Sequence, residues 1–199
     1  MNINFENNCV DHTLELGSEE TLDAILRMKD PIKKLRCLVN YMKDSSTARE
    51  KFHEIMLESG MDPLTIIQGT DNRWFHKYSE AHRALLLREV IDKFFEDFET
   101  PDKVSPLDED DWKSVLVYEN AMRTIVKASK VFEGAFFPTS SSVIPFLHTI
   151  FVELAEMKDK LAGVHREYVE LLLANLKKRF PQALREQMPF NCLTLLDPR

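Results

Sequence analysis

Scarcity narrows what this chain can be before any motif is considered. Only 5 of its 199 residues are glycine, and its 9 prolines fall mainly between periodic segments, the profile of a helical protein with sharp breaks. The 3 cysteines, Cys9, Cys37 and Cys192, are too widely spaced for a disulfide framework and agree with a reducing compartment. No apolar run approaches the roughly 20 residues needed to cross a bilayer, and Met1 to Leu16 lacks the basic start and apolar stretch of a signal peptide. The expectation is an intracellular chain with no membrane partner. Positive charge is short as well: 26 Lys and Arg stand against 33 Asp and Glu, a net charge of −7. A domain that held DNA by its overall field would be basic, because phosphate neutralisation supplies most non-specific affinity. Any nucleic-acid role must therefore rest on a local patch or on parts of a larger protein. There is no glycine-rich phosphate loop, no Gly-x-Ser-x-Gly and no His-Glu-x-x-His, and nothing places a nucleophile beside a base. What is present is ordinary globular material, 44% hydrophobic and 30% charged, long enough for one domain or two small ones.

Apolar residues recur at helical spacing in every long segment. Residues 1–8 alternate weakly, with Ile3 and Phe5 among asparagines, and predict one short strand. Ser18 is the expected cap of a helix to about Met28, and Asp30-Pro31 restarts the chain. Ile32, Leu35, Val39 and Met42 then mark the apolar face of a helix ending near Lys43, with Lys33, Lys34 and Arg36 a small basic patch on or beside its opposite face. Ser46 caps the next helix and Gly60 ends it. From Asn72 the series Trp74, Tyr78, Ala81, Leu85, Ile91, Phe94, Phe95 and Phe98 predicts a single helix of about seven turns. Asp108 caps a helix through Trp112, Val115 and Met122 to Gly134; Ser140 to Ser142 starts another, with Pro145 in its first turn. Gly163 to Phe180 forms the last, stopped by Pro181. The fold expected is an all-α irregular bundle of about seven or eight helices with one short N-terminal strand. There is no internal repeat, and the close at Asp197-Pro198-Arg199 after an apolar run reads like a cut edge.

Two constellations invite a chemical reading. Thr70-Asp71-Asn72-Arg73-Trp74 opens the longest helical pattern and puts a planar cation beside the largest aromatic ring, a pair able to clamp a phosphate and stack on a base. Trp74 reads equally as the first core residue of an amphipathic helix. Cys9 and His12, in Cys9-Val10-Asp11-His12, have the spacing of half a zinc site, but no second pair follows, and packing or local hydrogen bonding is the competing reading.

Taken in order, Cys9-Val10-Asp11-His12-Thr13-Leu14-Glu15-Leu16, Asp71-Asn72-Arg73-Trp74, the segment from Trp112 through Phe137-Pro138-Thr139 to Pro145, and Leu195-Leu196-Asp197-Pro198-Arg199 resemble the hAT (hobo/Activator) transposase superfamily. The resemblance includes its domesticated descendants with BED-type zinc fingers and spans essentially the whole chain. In that family a large all-helical insertion interrupts an RNase H-like core. The resemblance implies that residues 1–16, with their strand, are a remnant of that core and that residues 17–199 are the insertion. It implies that Cys9 and His12 help hold transposon-end DNA, and that Trp74, supported by Arg73, stacks on a displaced base. Asn72 departs from the family's usual Thr, and Phe75-His76-Lys77 from its usual Asn-Ser-Thr. The family's chemistry uses three acidic residues that hold two metal ions. By the resemblance all three lie outside this chain, so the expectation is no enzyme activity, no catalytic residue, no metal or other cofactor and no small-molecule substrate. The expected ancestral role is DNA binding in the nucleus, with a homo-oligomer or another hAT-like protein as further possible partners. The alternative is a helical interaction or dimerisation module that binds no nucleic acid.

Overall fold

The computed structural model describes residues 10–62, 75–132 and 140–181. Among these the elements are helices α1 (Val10–Ala24), α2 (Leu26–Asp44), α3 (Ser46–Glu58), α4 (Phe75–Leu86), α5 (Arg88–Asp97), α6 (Glu109–Phe132), α7 (Ser140–Asp159) and α8 (Gly163–Arg179). They belong to two compact units, one of residues 1–25 with 121–199 and one of residues 26–120, and α6 contributes to both.

The all-α expectation stands, and its strand is corrected. No strand occurs among the described residues, and helix already begins at Val10, whereas residues 1–8, the expected strand itself, lie outside them. A lone strand leaves its backbone groups without a ladder, and the described residues supply no second strand to pair with.

In the first unit α1 packs against α8, and α8 against α7. The buried face of α1 carries Thr13, Leu14, Gly17, Ser18, Thr21 and Leu22, mostly small or polar residues. Their hydroxyls are satisfied by back-bonding within the helix: Ser18 Oγ donates to the Leu14 carbonyl at 2.8 Å and Thr21 Oγ1 to the Gly17 carbonyl at 2.7 Å. Ser18 is thus a mid-helix residue, not the expected cap. Gly17 lets α8 approach closely, since a Cβ there would lie 2.9 Å from Leu176 Cδ2. The seam is completed by Asn175 Nδ2 donating to Thr21 Oγ1 at 3.0 Å and by Arg179 against Glu20 at 2.6 Å. Thr124 of α6 also donates to Glu153 of α7.

In the second unit α2 packs on α3 and α4, and α5 on α3. Its core includes Leu35, Leu38, Phe52, Ile55, Leu87, Ile91, Phe94 and Trp112. Phe94 is fully buried and meets three rings: Phe52 and Phe95 edge-on at 5.7 and 5.8 Å, and Phe98 stacked at 5.0 Å. Trp112 is core as expected, with Nε1 donating to Asp92 Oδ1 at 3.0 Å and the Arg88 guanidinium 5.4 Å from its ring.

Two boundaries differ from expectation. Asp30-Pro31 does not restart the chain, because α2 begins at Leu26 and runs through Pro31, whose ring is buried beside Met28 and Ile32. Burial of that face offsets the backbone bond a proline removes. The single long helix expected from Asn72 is α4 and α5, parted at Leu87, whose N–H bonds both Arg83 and Ala84 carbonyls at 3.1 Å. The start of that long helix, residues 72–74, lies outside the described residues. Other ends fall close to where the sequence puts them. Ser45, one residue early, caps α3 by accepting from the Ala48 N–H at 3.2 Å, and Gly60 ends it at φ +70° with Met61 N–H on the Met56 carbonyl. Asp108 caps α6 in a reciprocal pair with Asp111, at 2.8 and 3.2 Å.

Candidate nucleic-acid interface

Of the four residues singled out by the sequence, Cys9, Arg73 and Trp74 lie outside the described residues. His12 is on the first turn of α1, exposed, with Nδ1 3.1 Å from Glu15 Oε2 one turn on. Its partner is therefore on its own helix. Among the described residues no group of three or more His, Cys, Asp and Glu is placed to hold a metal ion.

The structure brings together a different set of polar residues on α2, α4 and α6. Glu80 of α4 is buried, with Oε2 3.0 Å from Arg36 Nε of α2. Burial pushes its carboxyl above the ordinary value of 4.5, and the positive charges of Arg36, His76 and Lys43 act in the opposite sense. Two residues further along α4, on another side of the helix, His82 Nδ1 lies 2.9 Å from Oε1 of the fully buried Glu119 of α6, and the Tyr78 ring stacks on His82 with centroids 5.9 Å apart. On another side of α2, Lys34 Nζ reaches Asp111 Oδ2 at 2.5 Å and so ties α2 to the cap of α6.

Neither Glu80 nor Glu119 stands out in the sequence, because a charged residue on a helix is ordinarily solvated. A signal was available in register. Glu119 lies four residues after Val115 and three before Met122, and Glu80 four before Ala84, so both fall on the apolar stripe of their helix. Their partners on neighbouring helices, Arg36 and His82, are a tertiary matter that spacing along one helix does not reveal.

Residues 7–136 match the family described as the ZBED1 RNase-like helical domain, a span that covers well over half of the chain and contains Cys9, His12, Arg73 and Trp74. The chain is also similar to the Homo sapiens Zinc finger BED domain-containing protein 4, with 22% identity over 200 residues that take in 96% of this chain and 16% of that protein. It thus spans only a small part of that relative's length. No solved structure matches. On the extent of the family match, the chain belongs to the ZBED1 RNase-like helical domain family, a domesticated, BED/hAT-associated helical domain.

Proposed function

We propose that this domain contacts DNA as part of a larger nuclear protein and does not itself cleave it. The observation that supports the reading is the family match, whose span includes the four residues for which hAT resemblance implies a DNA contact. In this reading Cys9 and His12 hold the DNA end, Arg73 engages a phosphate and Trp74 stacks on a base. By the hAT resemblance the family's three catalytic acids lie outside this chain.

The test is a titration of labelled duplex and hairpin DNA at low salt with the 199-residue chain and its Trp74→Ala variant. The variant should bind more weakly by the value of one lost stack, about 1–3 kcal/mol, with its thermal unfolding nearly unchanged. A loss of about 3–5 kcal/mol in stability, with DNA affinity intact, would instead make Trp74 a core residue and remove the stacking role. Metal-dependent nicking should stay at background, and turnover abolished by a chelator would overturn the non-cleaving assignment.

A further inference from the structure

Charge in this acidic chain is unevenly placed. Helix α2 carries six Lys and Arg against two Asp, and α4 two against one Glu, so this packed pair has five positive charges in excess within a chain of net −7. The one carboxylate of α4, Glu80, is buried and paired with Arg36, so it offsets chiefly that cation. In the same unit, residues 96–111 hold eight carboxylates against the single cation Lys103.

The cations of α2 are also in register. Lys29, Lys33, Arg36 and Lys43 are separated by four, three and seven residues, which puts them on one stripe of the helix. From Lys29 to Lys43 the stripe runs about 21 Å at 1.5 Å per residue, roughly six nucleotide steps of a strand at 3.4 Å each. Arg36 and Lys43 both act on Glu80 of α4, as does His76, so the stripe lies along the α2–α4 seam. Arg83 continues that side of α4 three residues after Glu80. Lys33 and Lys43 are exposed, and Lys33 pairs with the exposed Asp30 at 3.6 Å, a pairing of little strength in water. The opposite face of α2, from Met28 to Met42, is buried in the core, which leaves it no apolar face to insert into a bilayer.

From this arrangement we infer that the α2–α4 ridge, with Lys29, Lys33, Arg36, Lys43, His76 and Arg83, is a surface that follows the phosphate backbone of a nucleic acid. The inference rests on the DNA-contact reading above and adds to it a phosphate-tracking element on residues that reading does not use. Such a ridge gives binding without sequence preference and a steep salt dependence. The carboxylates of residues 96–111 repel the same phosphates and so restrict the orientation in which the unit approaches them.

The experiment uses the full chain and random-sequence duplex DNA, with the dissociation constant followed as salt is raised. Lys33→Ala and Lys43→Ala, both at exposed positions, should each weaken binding several-fold and reduce the slope of log affinity against log salt by about one. Lys103→Ala and Lys113→Ala, elsewhere on the same unit, should leave affinity and slope unchanged, and circular dichroism melts should be the same for all four. Wild-type affinity and slope in the α2 variants, while Trp74→Ala still loses binding, would overturn the ridge and leave the DNA-contact reading standing. No binding by wild type at low salt would overturn both. Poly-glutamate competing as well as DNA at equal charge would also overturn the assignment to a phosphate backbone, in favour of an acidic protein partner.

Discussion

Helices α1 and α8 in one unit and helices α2 to α6 in the other are fastened by different means. The α1–α8 seam is made chiefly by closeness: Gly17 admits Leu176, a neutral Thr21–Asn175 bond lies beside them, and an exposed ion pair, Arg179–Glu20, closes the edge. In the second unit polar contacts link the helices around the apolar core, with the ion pairs Lys34–Asp111 and Arg36–Glu80 holding α2, the His82–Glu119 contact joining α4 to α6, and the ion pair Lys93–Glu58 joining α5 to α3. A seam of small residues gains from dispersion and fails when volume is added. Ionic links contribute less than their number suggests, because desolvation offsets most of the Coulomb attraction of a buried pair and solvent screens an exposed one. The comparison teaches that the second unit must be held chiefly by the rings and aliphatic side chains inside its charged shell.

The sharpest way to break that comparison is to remove the centre of the ring cluster. Phe94→Ala should cost about 3–5 kcal/mol, the range for deleting a buried Phe, read as a shift of the urea unfolding midpoint at constant slope. A loss below about 1 kcal/mol would mean that the charged shell, and not the core, carries this unit.

A smaller effect is expected where α1 meets α8. Gly17→Leu should cost about 1–3 kcal/mol by overpacking the seam. Gly17→Ala should be nearly neutral: its Cβ would press on the side-chain ends of Leu176 and Arg179, which must shift a little, and alanine recovers about 0.5–1 kcal/mol of helix propensity. Equal thermal stability of Gly17→Leu and wild type would show that the close approach is not what joins these helices.

The smallest effect separates the two chemistries by pH. Burial raises the folded-state pKa of Glu80, so its linkage contribution is fully present below the unfolded value near 4.5 and is lost as pH rises through the raised folded value. Glu80→Gln has no charge to desolvate and escapes that loss. Its melting temperature should match that of wild type below about pH 4.5 and exceed it slightly at pH 7. A difference that does not change with pH would show that burial of the ionised carboxylate is not the cause. The neutral Thr21–Asn175 bond of the other unit offers no corresponding titration.

Legibility in the sequence followed the apolar content of each helix face. Helix α6 was plain because Trp112, Val115, Met122 and Ile125 repeat at helical spacing behind the cap at Asp108, and α8 because Tyr168, Leu172 and Leu176 do the same. Helix α1 was not, because four of the six residues on its buried face are Thr13, Gly17, Ser18 and Thr21, residues that read as caps and loops until another helix covers them. The candidate site divides similarly. Cys9, His12, Arg73 and Trp74 were found by family resemblance, whereas the α2–α4 ridge needed the packing of two helices that are separated in sequence by α3.

By itself the sequence determined the helical class and most of the chain's breaks, since spacing, caps and prolines act within one turn of their own position. It also determined the acidic balance of the whole and the small basic patch of Lys33, Lys34 and Arg36 on α2, because both follow from residue identity and helical register. Only the tertiary structure decided that Pro31 stays inside a helix, that the long pattern after Asn72 divides at Leu87, and that Glu80 and Glu119 are buried against Arg36 and His82. Each of those outcomes depends on which helix face meets which neighbour, and burial there overrides the local preference of a proline, an unbroken apolar stripe or a charged side chain.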